Sequence, residues 1–229
     1  MTSPLLPGPG EVWHALGDLW WRGGLGPELF ATLKLVAAAT SVSIVPSFAL
    51  AYATVLPFVR PVVQALSKLR FLGLTGLVFP FTLATGGGFA LKVALLTFGM
   101  STFLVTSLAR IVAEVPRSRL DHVRSLGASE ARVVWEAVVR GTLDRCIDAV
   151  RQNVAMGWSM ITMVEGIARS DGGIGALLLA ENKHFRLAEV YAVLVVVLLV
   201  GLGIDLAMRG LGALACPHAR YETTAKEEL

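Results

Sequence analysis

Charge is what this chain has least of. Asp, Glu, Lys and Arg make up 16% of its 229 residues, against about 25% in soluble domains. The formal charge of +3 says little by itself, and no nucleic-acid partner is expected. Cysteine is nearly missing too. Cys146 and Cys216 stand in no metal spacing, which argues against a disulfide scaffold and a paired-cysteine metal site. No G-x-x-x-x-G-K-[ST] phosphate loop occurs, so the chain is not expected to be an ATPase, and no H-E-x-x-H occurs either. The start has no basic stretch before an apolar core, and Pro4, Pro7 and Pro9 interrupt it, so no signal peptide is expected.

Apolar residues fill the gap. They make up 55% of the chain, about 65% with the 23 glycines, and the mean hydropathy is +0.66; soluble domains reach 45–50% on a similar count. The expectation is an all-α integral membrane protein. Leu35 to Val59 is 25 residues without a charge, enough to cross ~30 Å of hydrocarbon at ~1.5 Å per residue, with a possible kink at Pro46. Further spans are expected at 62–85, at 89–111 after the triple glycine 86–88, and at 145–168 and 187–209. The last two rest on uncharged runs of only 13 and 15 residues. Before them, residues 1–27 hold a Pro/Gly-rich tail and a helix placing Val12, Trp13, Leu16, Leu19 and Trp20 on one face. That helix suits either the membrane surface or packing on protein. The transmembrane part is then 28–210, and 211–229 is a tail.

About five spans put the two ends on opposite sides. If the charged loop 112–144 is cytoplasmic, so are 58–70 and the C-terminus, and that side takes 13 of the 20 Lys and Arg against six on the other. This satisfies the positive-inside rule, with the N-terminus outside.

The loop contains "DHVRSLGASEARVVWEAVVRG", residues 121–141. A first helix from about Arg117 is expected to end at Leu126-Gly127, because glycine takes positive φ without steric cost. Ser129 is placed to cap a second helix, with Glu130 in its first turn. In that helix Val133, Val134, Ala137 and Val138 share one face. An amphipathic elbow of this kind suits docking into a partner's groove; it also suits a solvated loop.

The stretch resembles the permease subunits of binding-protein-dependent ABC importers, whose cytoplasmic loop follows E-A-A-x-x-x-G-x(9)-I-x-L-P. In the nitrate/sulfonate/taurine branch the loop commonly resembles "EAARSLGAS". Here Asp121-His122-Val123 keeps only the acid, "RSLGAS" matches with Gly127 on register, and Ala137-Val138-Val139-Arg140 lacks the proline. Arg151, Trp158, Glu165, the "GGIG" at 172–175 and Asp205 match positions of that branch further on. The likeness covers about 28–210 and is strongest from 117 onward. The branch often has six spans, and the first is the one not found here.

The resemblance implies the type I importer permease fold, in a bacterial inner membrane. It implies a second permease subunit, the same or a paralogue, and two cytoplasmic ABC ATPase subunits that bind ATP and magnesium. It also implies an external substrate-binding protein and a small anion or other small solute as cargo. The elbow residues Asp121, Arg124, Leu126, Gly127, Ala128, Ser129, Val133 and Val134 would couple to the ATPase. Arg151, Asn153, Trp158 and Glu165 would line the path. Three of these have a plainer reading: Arg151 snorkelling to the interface, Trp158 in packing, and Glu165 paired with Arg169. A divergent non-transporting scaffold, half of a heterodimer, and an ATP-independent channel or secondary transporter are the alternatives.

Overall fold

The computed structural model describes residues 7–168 and 171–215. Among them every regular element is helical: α1 (Pro9–Trp21), α2 (Leu25–Ala53), α3 (Arg60–Lys68), α4 (Leu74–Thr85), α5 (Gly88–Ala113), α6 (Arg117–Ser125), α7 (Glu130–Val133), α8 (Leu143–Ile167), α9 (Ile174–Lys183) and α10 (Leu187–Ala215). By length and composition, α2, α5 and α10 can each cross a membrane, and a fourth span results if the pieces on either side of residues 72–73 count as one. The expected stretch 62–85 is thus two helices, parted at Gly73, which caps α4 in an extended conformation. α8 has the length of a span, 25 residues. Asp144, Arg145, Asp148 and Arg151 in its first half keep it from being apolar throughout.

The first span begins ten residues earlier than expected. Glu28 and Lys34 lie inside it, and each has a partner on another part of the chain. Glu28 accepts a hydrogen bond from the Gly173 N–H, and the Lys34 ammonium lies 5.4 Å from the centre of the Phe89 ring. The break at 86–88 is where expected. Gly86, Gly87 and Gly88 all have positive φ (77°, 95° and 66°), a region open to glycine at little cost.

The chain forms two compact units. One comprises Met1–Ser41, Leu72–Gly99 and Ala155–Ile204; the other comprises Val42–Phe71, Met100–Val154 and Asp205–Leu229. In the first, α1 lays Val12, Ala15, Leu16 and Leu19 on a cluster of Leu25, Ile174, Ala192, Val193 and Val196. Trp13, Trp20 and Trp21 point away and are exposed. The packed face therefore runs through Ala15, not through Trp13 and Trp20 as the sequence suggests. A second cluster joins Leu91, Leu95, Val164 and Ala168 to Leu74, Leu77, Val78 and Phe81. In the second unit Tyr52, Thr142 and Cys146 meet through weak contacts to the buried thiol, at 3.8 and 3.6 Å. Thr106 donates to Ser67 at 2.8 Å.

Candidate functional site: the elbow and two polar nodes

The elbow forms from local signals. α6 ends at Ser125; Leu126 follows, and Gly127 takes φ +77°. The Gly127 N–H bonds the Arg124 carbonyl at 2.9 Å, which satisfies one orphan group at the helix end. Ser129 stands at the N-cap in extended conformation, but its hydroxyl makes no capping bond. Its carbonyl accepts from the Val133 N–H instead, at 2.9 Å. Arg124 closes the joint. It donates from Nε and Nη2 to the two carboxylate oxygens of Glu130, both at 2.9 Å, and from Nη1 to Asp121 at 3.2 Å. The hydrogen bond from Arg124 holds the Glu130 carboxyl below the usual range, and the bond to Glu130 raises the guanidinium.

After α7 the helix widens into a π-helical stretch, Val134–Val139, then tightens to a 3₁₀ turn, Arg140–Thr142, before α8. Such widenings often mark functional positions. Here the change of pitch has a visible effect on burial. Val133, Ala137, Val138, Thr142, Cys146, Ala149 and Val150 are all buried, so the inward stripe steps by four or five residues through the wide turn and then joins the face of α8. The Arg119 Nη1 donates to the Gly141 carbonyl at 3.1 Å and ties α6 to this bend.

The apolar face of the second elbow helix is therefore turned into the chain's own core. Val133 is fully buried and Val134 is partly so. What the elbow offers outward is Leu126 (74% exposed) and Trp135 (56% exposed), with Asp121, Arg124, Gly127 and Ser129 also exposed and Ala128 half-buried. Trp135 is a residue the sequence reading missed. At the ordinary helical period it falls outside the face of Val133, Val134, Ala137 and Val138, so periodicity already turns it away from the core.

Arg151 is not a free cation. It donates to Asp148 from Nε at 3.0 Å and Nη2 at 2.8 Å, and to Asp205 on α10 from Nη1 at 2.6 Å. Asp205 also meets Arg209 Nε at 2.9 Å. Asn153 is buried (5% exposed), and its Oδ1 has no hydrogen-bond partner among the described residues. Trp158 is buried and donates from Nε1 to the Val197 carbonyl at 3.0 Å. A side chain at Gly201 would begin 2.9 Å from that nitrogen, so the glycine is what admits the ring.

Glu165 sits in the other node. It is buried, 1% exposed, and accepts from the Thr32 hydroxyl at 2.8 Å and the Gly175 N–H at 2.8 Å. Thr32 in turn accepts from the Ile174 N–H at 2.9 Å, and Glu28 accepts from the Gly173 N–H. Three successive N–H groups at the start of α9 are thus bonded by side chains from α2 and α8. Such groups have no partner within their own helix, and two of the acceptors carry the sign favoured at a helix N-terminus. Lys92, 2% exposed, donates to the Gly172 carbonyl at 2.7 Å. Gly172 and Gly173 have φ of 66° and 109°, and a Cβ at Gly173 would collide with the Glu165 carboxylate. Arg169, the sequence-derived partner for Glu165, lies outside the described residues, as do Cys216 and the tail from 216 on. Glu28, Thr32 and Lys92 were not singled out in the sequence. The one clue is Lys92, a lone charge inside the apolar run 71–109.

A multi-pass helical protein with a jointed elbow before a charged helix start is the class these features define. The chain belongs to the family of binding-protein-dependent transport system inner membrane components, whose model matches residues 34–214. It is 26% identical over 126 residues to the taurine transport system permease protein TauC of Escherichia coli (strain K12), which covers 55% of this chain and 46% of that protein. The chain thus spans less than half the length of that relative. It is 24% identical over 208 residues to a probable ABC transporter permease protein of Brucella melitensis biotype 1, covering 88% of this chain and 82% of the relative. In fold it is similar to a chain of the MetNI methionine ABC transporter in inward facing conformations. The TM-score is 0.66 at 15% identity, over 91% of this chain and 99% of the other. A second crystal form of that transporter scores 0.63 at 17% identity.

Proposed function

We propose that the chain is the membrane-spanning subunit of an ATP-driven importer, and that its elbow transmits the motion of a cytoplasmic ATPase. The observation that carries this reading is the elbow itself. It is a short helix ended by a left-handed glycine, closed by a bidentate Arg124–Glu130 pair, and presenting Leu126 and Trp135 outward. Exposed apolar side chains ringed by charge suit insertion into a groove. The charges in the first half of α8 then fit a helix start near the membrane boundary. On this reading the C-terminus and elbow are cytoplasmic and the N-terminus is outside. A second permease subunit completes the path, two ATPase subunits hold ATP and magnesium, and an external protein delivers the cargo.

The likeness to a taurine permease supports a small solute with an acidic group. The structure offers no support for Arg151 as the group that meets it, since Asp148 and Asp205 already take that charge. The test is co-purification of an ATP-binding subunit with the chain. The Leu126→Asp/Trp135→Asp variant should lose the subunit while still inserting in the membrane. Retention of the subunit by that variant would reject Leu126 and Trp135 as its contact, and transport by the chain with no ATP-binding subunit present would favour an ATP-independent channel or carrier.

A further inference from the structure

A cleft of about 560 Å³ is lined partly by the inner side of the elbow, and neither the outward-facing Leu126 and Trp135 nor Arg151, Asn153, Trp158 and Glu165 line it. We infer that it is a binding site for the headgroup of an anionic phospholipid. Its floor is apolar, formed by Val63, Val112, Val133 and Val138, all buried. Its rim carries Arg60, Arg117 and Arg124, with Glu130 as the only acid. Arg124 is engaged by Glu130 and Asp121, which leaves Arg60 and Arg117 as the uncompensated charge. Arg60 spends its Nε on the Thr54 carbonyl at 3.1 Å. That bond satisfies a carbonyl just past α2 and leaves both terminal nitrogens of the guanidinium available. Arg117 makes no ion pair among the described residues.

The depth of the cleft selects the ligand. Thr54 and Val55 follow the end of α2, and Ala109, Val112 and Ala113 belong to the end of α5. Both helices are long and apolar enough to cross a membrane, so the cleft lies where headgroups lie. Guanidinium groups bind phosphate in a bidentate fashion, and basic pockets at the ends of spans suit anionic headgroups. A free anion would satisfy the arginines and leave the valine floor wet. A phospholipid satisfies both, with the phosphate on the rim and the glycerol and first methylenes on the floor. Bound there, it bridges α3 to α6 and holds the elbow against the membrane surface. The inference rests on the span ends and not on the transport reading.

The experiment uses the full chain, with any subunits that accompany it, in detergent. Native mass spectrometry and thermal melting are run with phosphatidylglycerol and with phosphatidylcholine of the same acyl chains. Phosphatidylglycerol should be retained at least tenfold better and raise the melting temperature further. Arg60→Gln/Arg117→Gln should abolish that preference. Arg110→Gln/Arg132→Gln, which removes equal charge from exposed positions outside the cleft, should keep it. Equal retention of the two lipids, equal loss in both variants, or full competition by millimolar inorganic phosphate would overturn the assignment. Should the first variant not fold, a photoactivatable phosphatidylglycerol on the unaltered chain decides. Crosslinks should fall on Val63 and Leu120; crosslinks only elsewhere reject the site.

Discussion

Arg124 bridges the break in the elbow, holding both oxygens of Glu130 across the Gly127 turn at 2.9 Å. The pair links the end of α6 to the start of α7 across the turn. Its pH dependence follows from the direction of each shift. The Glu130 carboxyl is lowered, so its contribution is complete above the ordinary carboxylate value, about 4.3, and is lost as pH falls through the lowered folded value. Arg124 is raised, so its contribution is present throughout the range below the ordinary arginine value. Spin labels at positions 122 and 132 should report one narrow distance from pH 8 to about pH 5, broadening below about pH 4. Glu130→Gln should be broad at every pH. Because the pair is exposed, high salt should weaken it. An unchanged distribution in Glu130→Gln would show that the pair does not set the joint.

Gly127 is the second control on that joint. Its φ of +77° costs a non-glycine residue about 1–2 kcal/mol, and a β-branched one more. The position is exposed, so Gly127→Val should leave the membrane part folded and act on elbow geometry alone. The expected outcome is ATP hydrolysis that no longer drives uptake in the assembled complex. Gly127→Asn should behave nearly as the unaltered chain, since asparagine tolerates the left-handed region. Normal substrate-stimulated hydrolysis and uptake in Gly127→Val would refute the coupling role.

The helices were legible wherever local chemistry dictates them. The triple glycine at 86–88, the Gly127 stop and the Ser129 start all fall where sequence signals place them. The failures have a shared cause. Lys34 bounded the expected first span because sequence shows a charge but not its partner, and Lys34 and Glu28 both meet residues far along the chain. Val133 and Val134 looked like a docking face because amphipathicity gives a face but not what it packs against. That face packs on the chain's own core, with Val133, Ala137 and Val138 buried and Trp135 exposed on the other side. Lys92, Glu28 and Thr32 act on the start of α9 from helices distant in sequence, so spacing alone could not bring them together.

Glu165 is a structural acceptor, and its removal should be read as lost stability before lost transport. Glu165→Ala leaves the Thr32 hydroxyl and the Gly175 N–H without their acceptor. Each unsatisfied buried group costs ~1–3 kcal/mol, and 1 kcal/mol moves the melting temperature of a domain this size by ~2–4 °C. The detergent-solubilised variant should melt several degrees lower. Glu165→Gln keeps an acceptor and should fall between the two. Gly173→Ala places a methyl group against the Glu165 carboxylate and should be the most damaging. Glu165→Ala with unaltered melting but lost uptake would return Glu165 to the transport path.

The two roles open to Arg151 predict opposite results for one exchange of charges. As a brace it acts through Asp205, 2.6 Å away. Arg151→Gln and Asp205→Asn should each impair uptake, the first by leaving Asp205 with only Arg209, the second by leaving Arg151 with only Asp148. In the exchanged variant Arg151→Asp/Asp205→Arg the cross-helix attraction is restored with its sign reversed. The new aspartate lies three residues from Asp148, however, so that repulsion makes the rescue partial. If Arg151 instead met an anionic cargo, the exchange would put a carboxylate where the cargo passes, and uptake would fall below that of Arg151→Gln. Measuring uptake in the three variants at matched membrane expression separates the readings. Partial rescue identifies a brace between α8 and α10, and deepened loss identifies a cargo contact.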